Sequence, residues 1–244
     1  MLKNLAYDRV SSSNQIALKM LDCAVELFGC FSLEEYMKEI MNSQSGMAVV
    51  LNIADRICKA KSIEEIKELK AEFLKAEEKA VAAAFKYLEG VDNLATISFS
   101  KSVLDVLLKI KPKRVFVSVS HPAREGEALA ERLTEEGIKV VLFEDSAYSL
   151  IMKETDAVLI GADALFDLCV VNKIGSYALA LLAMEFEKPF YVVANKFKVL
   201  DGDVERFYRI SKMDPKEISN INCDIINVYF ECVPKRLIKR IFMG

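Results

Sequence analysis

The 244-residue chain has one histidine, and its six cysteines, at 23, 30, 58, 169, 223 and 232, form no CxxC pair. Structural zinc needs closely spaced nitrogen and sulfur ligands, so no metal site is expected. No run approaches the roughly 18 uninterrupted apolar residues that span a bilayer. The opening MLKNLAYDRVSSS has no apolar signal core, so the expectation is a cytoplasmic protein with no membrane partner. In a reducing compartment most of the cysteines read as small buried hydrophobes. GxGxxG and GxxxxGK[ST] are both missing, which removes the usual cradles for dinucleotides and nucleotide phosphates. No cofactor is expected. Net charge is −3, without the excess of basic residues that marks a nucleic-acid binder. The cluster Lys235, Arg236, Lys239 and Arg240 reads as the solvated face of a helix whose other side is Leu237, Ile238, Ile241 and Phe242. Direct nucleic-acid binding is therefore not expected.

What is present is a hydrophobic share of 52% with 28% charge, the composition of a globular chain with one or two domains. Residues 14–90 carry helical periodicity throughout. Asn14–Phe28 has one apolar stripe and ends at Gly29. Ser32 caps a short helix from Leu33 to Met41, and Met47–Ala60 forms a third. Ser62 and Glu65 have the spacing of a capping box. No glycine or proline interrupts the run from there to Gly90, so it should be one continuous rod. After Gly90, short apolar runs alternate with helical segments. Asn93–Phe99, Arg114–Val119, Lys139–Phe143, Ala157–Ala162, Phe190–Ala194 and Ile225–Phe230 are the expected strands. That alternation predicts an α/β fold: a helical domain over 1–90, then a Rossmann-like, mainly parallel sheet flanked by helices over 91–244. Residues 200–222 carry loop signals at Asp201-Gly202-Asp203 and Asp214-Pro215 and have no firm assignment.

In open parallel sheets, ligands bind outside the carboxyl ends of the strands. Each predicted strand delivers polar residues there. Ser98, Ser100, Lys101 and Ser102 follow the first, where helix N–H groups and a lysine suit an anion. Ser118, Ser120, His121 and Pro122 follow the second, with Glu125-Gly126 opening the next helix. Glu144-Asp145-Ser146 end the third. The unit 157–199, read as strand, helix and strand, adds Asp163, Asn172, Lys173 and Lys198.

Within that unit GAD (161–163), VVNKIGSYALALLA (170–183) and PFYVVANKFK (189–198) resemble the signature of the translation initiation factor 2B alpha/beta/delta-subunit family. That family also includes methylthioribose-1-phosphate isomerase and ribose-1,5-bisphosphate isomerase. The resemblance extends to TISFSKSVLDVL (96–107), SHPAREGEALAERL (120–133), FEDSA (143–147) and NVYFECVPKRLI (227–238). It implies Asp163 as acid and base, Asn172 and Lys173 as substrate contacts, and Lys198 as a lysine able to reach phosphate. Ser100, Lys101 and His121 join the expected binding set. The partner implied is a phosphorylated small molecule, a sugar phosphate or nucleotide. Homo- or hetero-oligomers associating through the C-terminal domain are implied as well.

The chain departs from the isomerase pattern where the chemistry is hardest. Moving a proton between C1 and C2 of a sugar phosphate needs two groups of suitable pKa. The isomerases use a cysteine, whose thiol ionises easily. Here that position is Ser98. Ser11-Ser12-Ser13, with Arg9 displaced nearby, stands in place of an Arg-Gly-Ala phosphate loop. Ser45-Gly46-Met47-Ala48 replaces a segment that carries a second arginine. His121 replaces a third, and Glu125 a glutamine. Lost guanidinium forks weaken phosphate binding, and Glu125 adds repulsion. Cys169 has two readings, a migrated catalytic thiol or a small hydrophobe under its loop. The expectation is a regulatory or assembly protein that keeps a phosphometabolite pocket without being a competent isomerase. The alternatives are an aldose-ketose isomerase using Asp163 with Ser98 or Cys169, and a scaffold with a vestigial pocket.

Overall fold

The computed structural model describes residues 5–8, 12–30, 32–200 and 202–244. Arg9, Ser11 and Asp201 lie outside the described residues. Helices come first: α1 (Ser13–Glu26), α2 (Ser32–Ser43), α3 (Ala48–Lys59) and α4 (Ile63–Leu88). The Ser62 hydroxyl accepts from the Glu65 N–H at 3.2 Å and caps α4, which runs 26 residues without a break. Its first half packs with α1–α3 through Ile66, Leu69 and Phe73. Its second half, Ala80 to Leu88, lies on the sheet, so one rod joins both parts of the molecule. Among the described residues no helix is long and apolar enough to cross a membrane.

The remainder runs β1 (Asn93–Thr96), α5 (Lys101–Ile110), β2 (Arg114–Ser118), α6 (Glu125–Glu135), β3 (Val140–Phe143), α7 (Tyr148–Met152) and β4 (Ala157–Ile160). It continues through β5 (Ala164–Leu165), β6 (Cys169–Lys173), α8 (Ser176–Glu185), β7 (Phe190–Val193), α9 (Gly202–Glu205), β8 (Phe230–Pro234) and β9 (Arg240–Phe242). Six strands form a parallel sheet in the order β3-β2-β1-β4-β7-β9. This is the doubly wound order, which reverses direction between β1 and β4. Residues alternate between its faces. Leu94, Val115, Leu159 and Tyr191 meet α4, α5 and α6, while Ala95, Phe116, Ile160 and Val192 meet α7 and α8. Each fully buried valine, leucine or isoleucine contributes roughly 1.5–3 kcal/mol, and these two layers supply much of the core.

Three sequence expectations are corrected. The sixth strand of the parallel sheet is β9, not 225–230. β9 lies within the stretch expected as a basic helix, because Lys235–Leu237 makes only one 3-10 turn after Pro234 and Arg240–Phe242 then pairs with β7. The unit 157–199 holds two extra strands, β5 and β6, between β4 and α8, which β8 joins to make an antiparallel sheet, so Asn172 and Lys173 sit on a strand instead of a helix start. Finally, Cys169 and Cys232 form a disulfide across β6 and β8. Cys169 is therefore neither a free thiol nor a buried hydrophobe, and Cys30, Cys58 and Cys223 are exposed.

Candidate functional site

The order of the sheet reverses between β1 and β4, and it is at the carboxyl ends of such a pair that doubly wound sheets bind ligands. Register pairs Leu94 with Ala157 and Ala95 with Val158, so the segment after β1 that holds Ser98 leaves the sheet beside the end of β4. Ser100 caps α5, its hydroxyl accepting from Val103 N–H at 3.4 Å, and it presses on Gly161. A β-carbon at Gly161 would stand 2.5 Å from Ser100 Oγ. The glycine of the GAD motif thus lets the start of α5 close on the end of β4. Ser98 itself holds φ +63°, a left-handed conformation costly for serine, and its N–H donates to Ser120 Oγ at 2.7 Å. Such strain persists only where surroundings impose it, and it gathers at functional sites.

Ser120, at the end of β2, repeats the conformation with φ +70°. Its N–H donates to Asp145 Oδ1 and the His121 N–H to Asp145 Oδ2, both at 2.7 Å. The Ser118 hydroxyl also donates to Asp145. Burial pushes the Asp145 carboxyl up, but these donors outweigh it and hold the group below its ordinary range. His121 is exposed, precedes a cis proline and keeps its ring 3.2 Å from Asp145. His121, Glu144 and Asp145 bring ligand atoms within 4.8 Å of one another, yet Asp145 already accepts from three protein donors. The cluster therefore shapes the loop between β2 and α6.

Lys173 ends β6 and is only 1% exposed. Its ammonium donates to both oxygens of Glu125, the first residue of α6, at 2.8 Å each, and lies 4.5 Å from the centre of the Tyr229 ring. Asn172 donates to Ser176 Oγ at 2.8 Å. Gly175 turns the chain from β6 into α8 with φ +97°, and a β-carbon there would meet Tyr148 Oη at 2.6 Å. Helix α8 receives its counter-charge from inside the protein: Gly175 N–H and Tyr177 N–H donate to Glu231 Oε1 at 2.6 and 2.9 Å.

Asp163 follows β4 and is half-buried at the rim. Its backbone is fixed from two sides, its N–H donating to Val171 O at 2.8 Å and its carbonyl accepting from Ala48 N–H at 3.0 Å. Burial pushes its carboxyl up to about 6, against the pull of Lys198 and Lys173 and with added repulsion from Glu125. Lys198 is buried and donates to the carbonyl of Ala162. The segment 45–48 reaches this site: Ser45 O accepts from Arg209 N–H at 3.1 Å, and Gly46 abuts Phe230. Tyr208 is buried edge-on against Phe166, 5.1 Å between ring centres. Its hydroxyl has no hydrogen-bond partner among the described residues. Burial, with the Asp163 charge adding, pushes that phenol up.

Asp163, Lys173, Lys198 and Glu125 share one electrostatic neighbourhood. Ser98 and Ser100 stand at the adjoining strand end, whereas Lys101 is exposed and paired along its helix with Asp105. Sequence reasoning missed Glu231, Tyr208 and Glu77. Glu231 lies inside a quoted motif, but nothing in the chain assigns its carboxylate to the helix 56 residues earlier. A recess of about 320 Å³ also opens at the amino edge, lined by Asp92, Asp156 and Tyr191 among others. Its carboxylates are committed, Asp156 to the Asn93 N–H at 2.8 Å and Asp92 to Lys113 at 2.6 Å, which leaves the carboxyl rim as the candidate site.

Comparison with known proteins agrees with this fold. A sequence profile of the initiation factor 2 subunit family matches residues 29–243. The chain is similar to a crystal structure of translation initiation factor eIF-2B from Pyrococcus horikoshii, at 27% identity and TM-score 0.84 over 99% of this chain and 93% of that one. It is 31% identical over 166 residues to the ribose 1,5-bisphosphate isomerase of Methanocaldococcus jannaschii, covering 64% of this chain and 54% of that protein. A tetrameric eIF2B beta2-delta2 complex from C. thermophilum shares the fold, at 16% identity and TM-score 0.72 over 99% of this chain and 86% of that one. With the doubly wound sheet and the GAD and NKIG residues gathered at its carboxyl rim, the chain belongs to the initiation factor 2 subunit family, whose members include both eIF-2B subunits and sugar-phosphate isomerases.

Proposed function

We propose that the protein is a regulatory or assembly member of this family, in which residues 91–244 hold a pocket for a phosphorylated small molecule and residues 1–90 form a helical domain against it. The observation that carries this reading is Ser98, two residues past the end of β1 and held by the Ser120 hydroxyl. A serine hydroxyl is a far poorer proton carrier than a thiol near neutral pH, and among the described residues it has no hydrogen-bonded base. Lys198, Ser100 and the start of α5 remain to meet a phosphoryl group. Exposed Leu168, Ile210, Ile218, Ile221 and Ile226 support association through the C-terminal part.

Titration with AMP and ribose 5-phosphate tests the pocket. Binding is expected and should be lost in Lys198→Met. No heat or melting shift at millimolar ligand removes the sensing role. Light scattering on the purified chain tests assembly, and a strict monomer at working concentration contradicts it.

A second reading has its own support. An Asp163 carboxyl raised to about 6 is well matched to proton transfer near neutral pH, as an aldose-ketose isomerase of a sugar 1-phosphate requires. Turnover that disappears in a folded Asp163→Asn variant establishes that reading.

A further inference from the structure

Three of the rim's anion-binding groups are already filled from within. Lys173, buried to 1% exposure, gives its ammonium to both oxygens of Glu125 at 2.8 Å, and the Tyr229 ring faces it at 4.5 Å. The N–H groups of Ser120 and His121 serve Asp145 at 2.7 Å. Those of Gly175 and Tyr177 serve Glu231 at 2.6 and 2.9 Å. Around Asp163 the positive charges of Lys173 and Lys198 are matched by Asp163 and Glu125. Glu125 differs from the other acceptors in that both of its carboxylate oxygens are given to one buried ammonium.

We propose that Glu125 sets the charge of the ligand: its carboxylate is a resident counter-anion on Lys173, so the rim accepts a polar molecule carrying one phosphoryl group and refuses one carrying two. The inference rests on the pocket reading above and deepens it. A phosphoryl group brings about −1.5 to −2 charges at neutral pH. A second such group would meet Glu125 and find the Lys173 ammonium occupied. A single phosphate seated elsewhere on the rim leaves the Glu125–Lys173 pair undisturbed. The Tyr208 hydroxyl, buried and unpartnered among the described residues, offers a neutral donor to the same kind of ligand.

Calorimetry on the full chain with ribose 5-phosphate and ribose 1,5-bisphosphate separates the terms, because the two probes differ by a single phosphoryl group. Wild type should bind the monophosphate at least tenfold more tightly than the bisphosphate, about 1.4 kcal/mol. Glu125→Gln should gain at least tenfold for the bisphosphate and change less than threefold for the monophosphate. The double variant Glu125→Gln with Lys173→Gln should lose that gain. Glu125→Asp, which keeps the charge, should refuse the bisphosphate as wild type does, and it serves where the glutamine variant fails to fold. The proposal is overturned by equal wild-type affinity for both probes, by no gain in Glu125→Gln, including no measurable bisphosphate binding to either protein, or by a tenfold gain in Glu125→Asp. Wild type that ignores ribose 5-phosphate counts against the pocket reading, while a bisphosphate gain confined to Glu125→Gln still identifies Glu125 as the excluding group.

Discussion

Glu77, on the long helix α4, accepts a hydrogen bond from Asn195 at the end of β7 at 2.5 Å, across 118 residues of chain. The same carboxylate takes Asn14 Nδ2 at 2.6 Å and the Ser102 hydroxyl. One side chain thereby ties α1, α4, α5 and the end of β7 together. Glu77→Ala strands three buried donors, each costing about 1–3 kcal/mol when unpaired. A loss of roughly 3 kcal/mol or more is expected in chemical denaturation. A loss under about 0.5 kcal/mol shows that the network is not holding the halves together.

Gly161 and Ser100 should couple. A β-carbon at Gly161 would fall 2.5 Å from Ser100 Oγ and 2.8 Å from its Cβ, so Gly161→Ala must move the start of α5, at about 1–3 kcal/mol. Ser100→Gly removes both obstructing atoms along with the cap. In a double-mutant cycle the pair should therefore cost less than the sum of its singles. Strict additivity argues that the two elements do not press together.

Asp163 should leave a signature in the pH dependence of stability. Its folded value of about 6 lies above the ordinary 3.8, so the native state binds this proton more tightly than the unfolded chain. The penalty for burying the charge is complete above pH 6 and is relieved as pH falls through about 6 toward 3.8. Relative to Asp163→Asn, wild type should gain on the order of 1–3 kcal/mol over that window, a range discounted for the partial exposure of the rim. Asp145, shifted the other way, cancels in the difference. Parallel pH profiles for the two proteins contradict the assignment.

The disulfide is open to direct counting. Denatured, unreduced protein should titrate as four free thiols, at Cys23, Cys30, Cys58 and Cys223. With reductant it should titrate as six. Closure of the loop between Cys169 and Cys232, separated by 63 residues, is worth up to about 4 kcal/mol in the chain-entropy account, so reduction should lower the melting temperature. Six thiols without reductant leave no bond to reduce.

Much of this was legible in the chain. Buried parallel strands read as continuous apolar runs, and the helices carried their own caps and stops, so five strands of the main sheet and the four N-terminal helices stand where periodicity predicts. The C-terminal strands did not declare themselves. β9 is three residues long inside a stretch whose charged and apolar residues alternate at helical spacing, and its pairing with β7 is decided by sheet geometry. β6 ends in Asn172 and Lys173, residues that read as a solvated helix start. They are buried because Ser176 and Glu125 satisfy them, the latter from 48 residues away. The rim residues were visible as polar punctuation after each strand. Their counter-charges were not, because Glu77, Asp145 and Glu231 act across long separations.

The central claim is that this rim binds without isomerising. The most direct measurement follows conversion of ribose 1,5-bisphosphate and 5-methylthioribose 1-phosphate by NMR at high enzyme concentration, in parallel with ribose 5-phosphate binding. The account predicts monophosphate binding and no conversion above the uncatalysed rate. Conversion of either substrate by wild type, lost in folded Asp163→Asn, contradicts it.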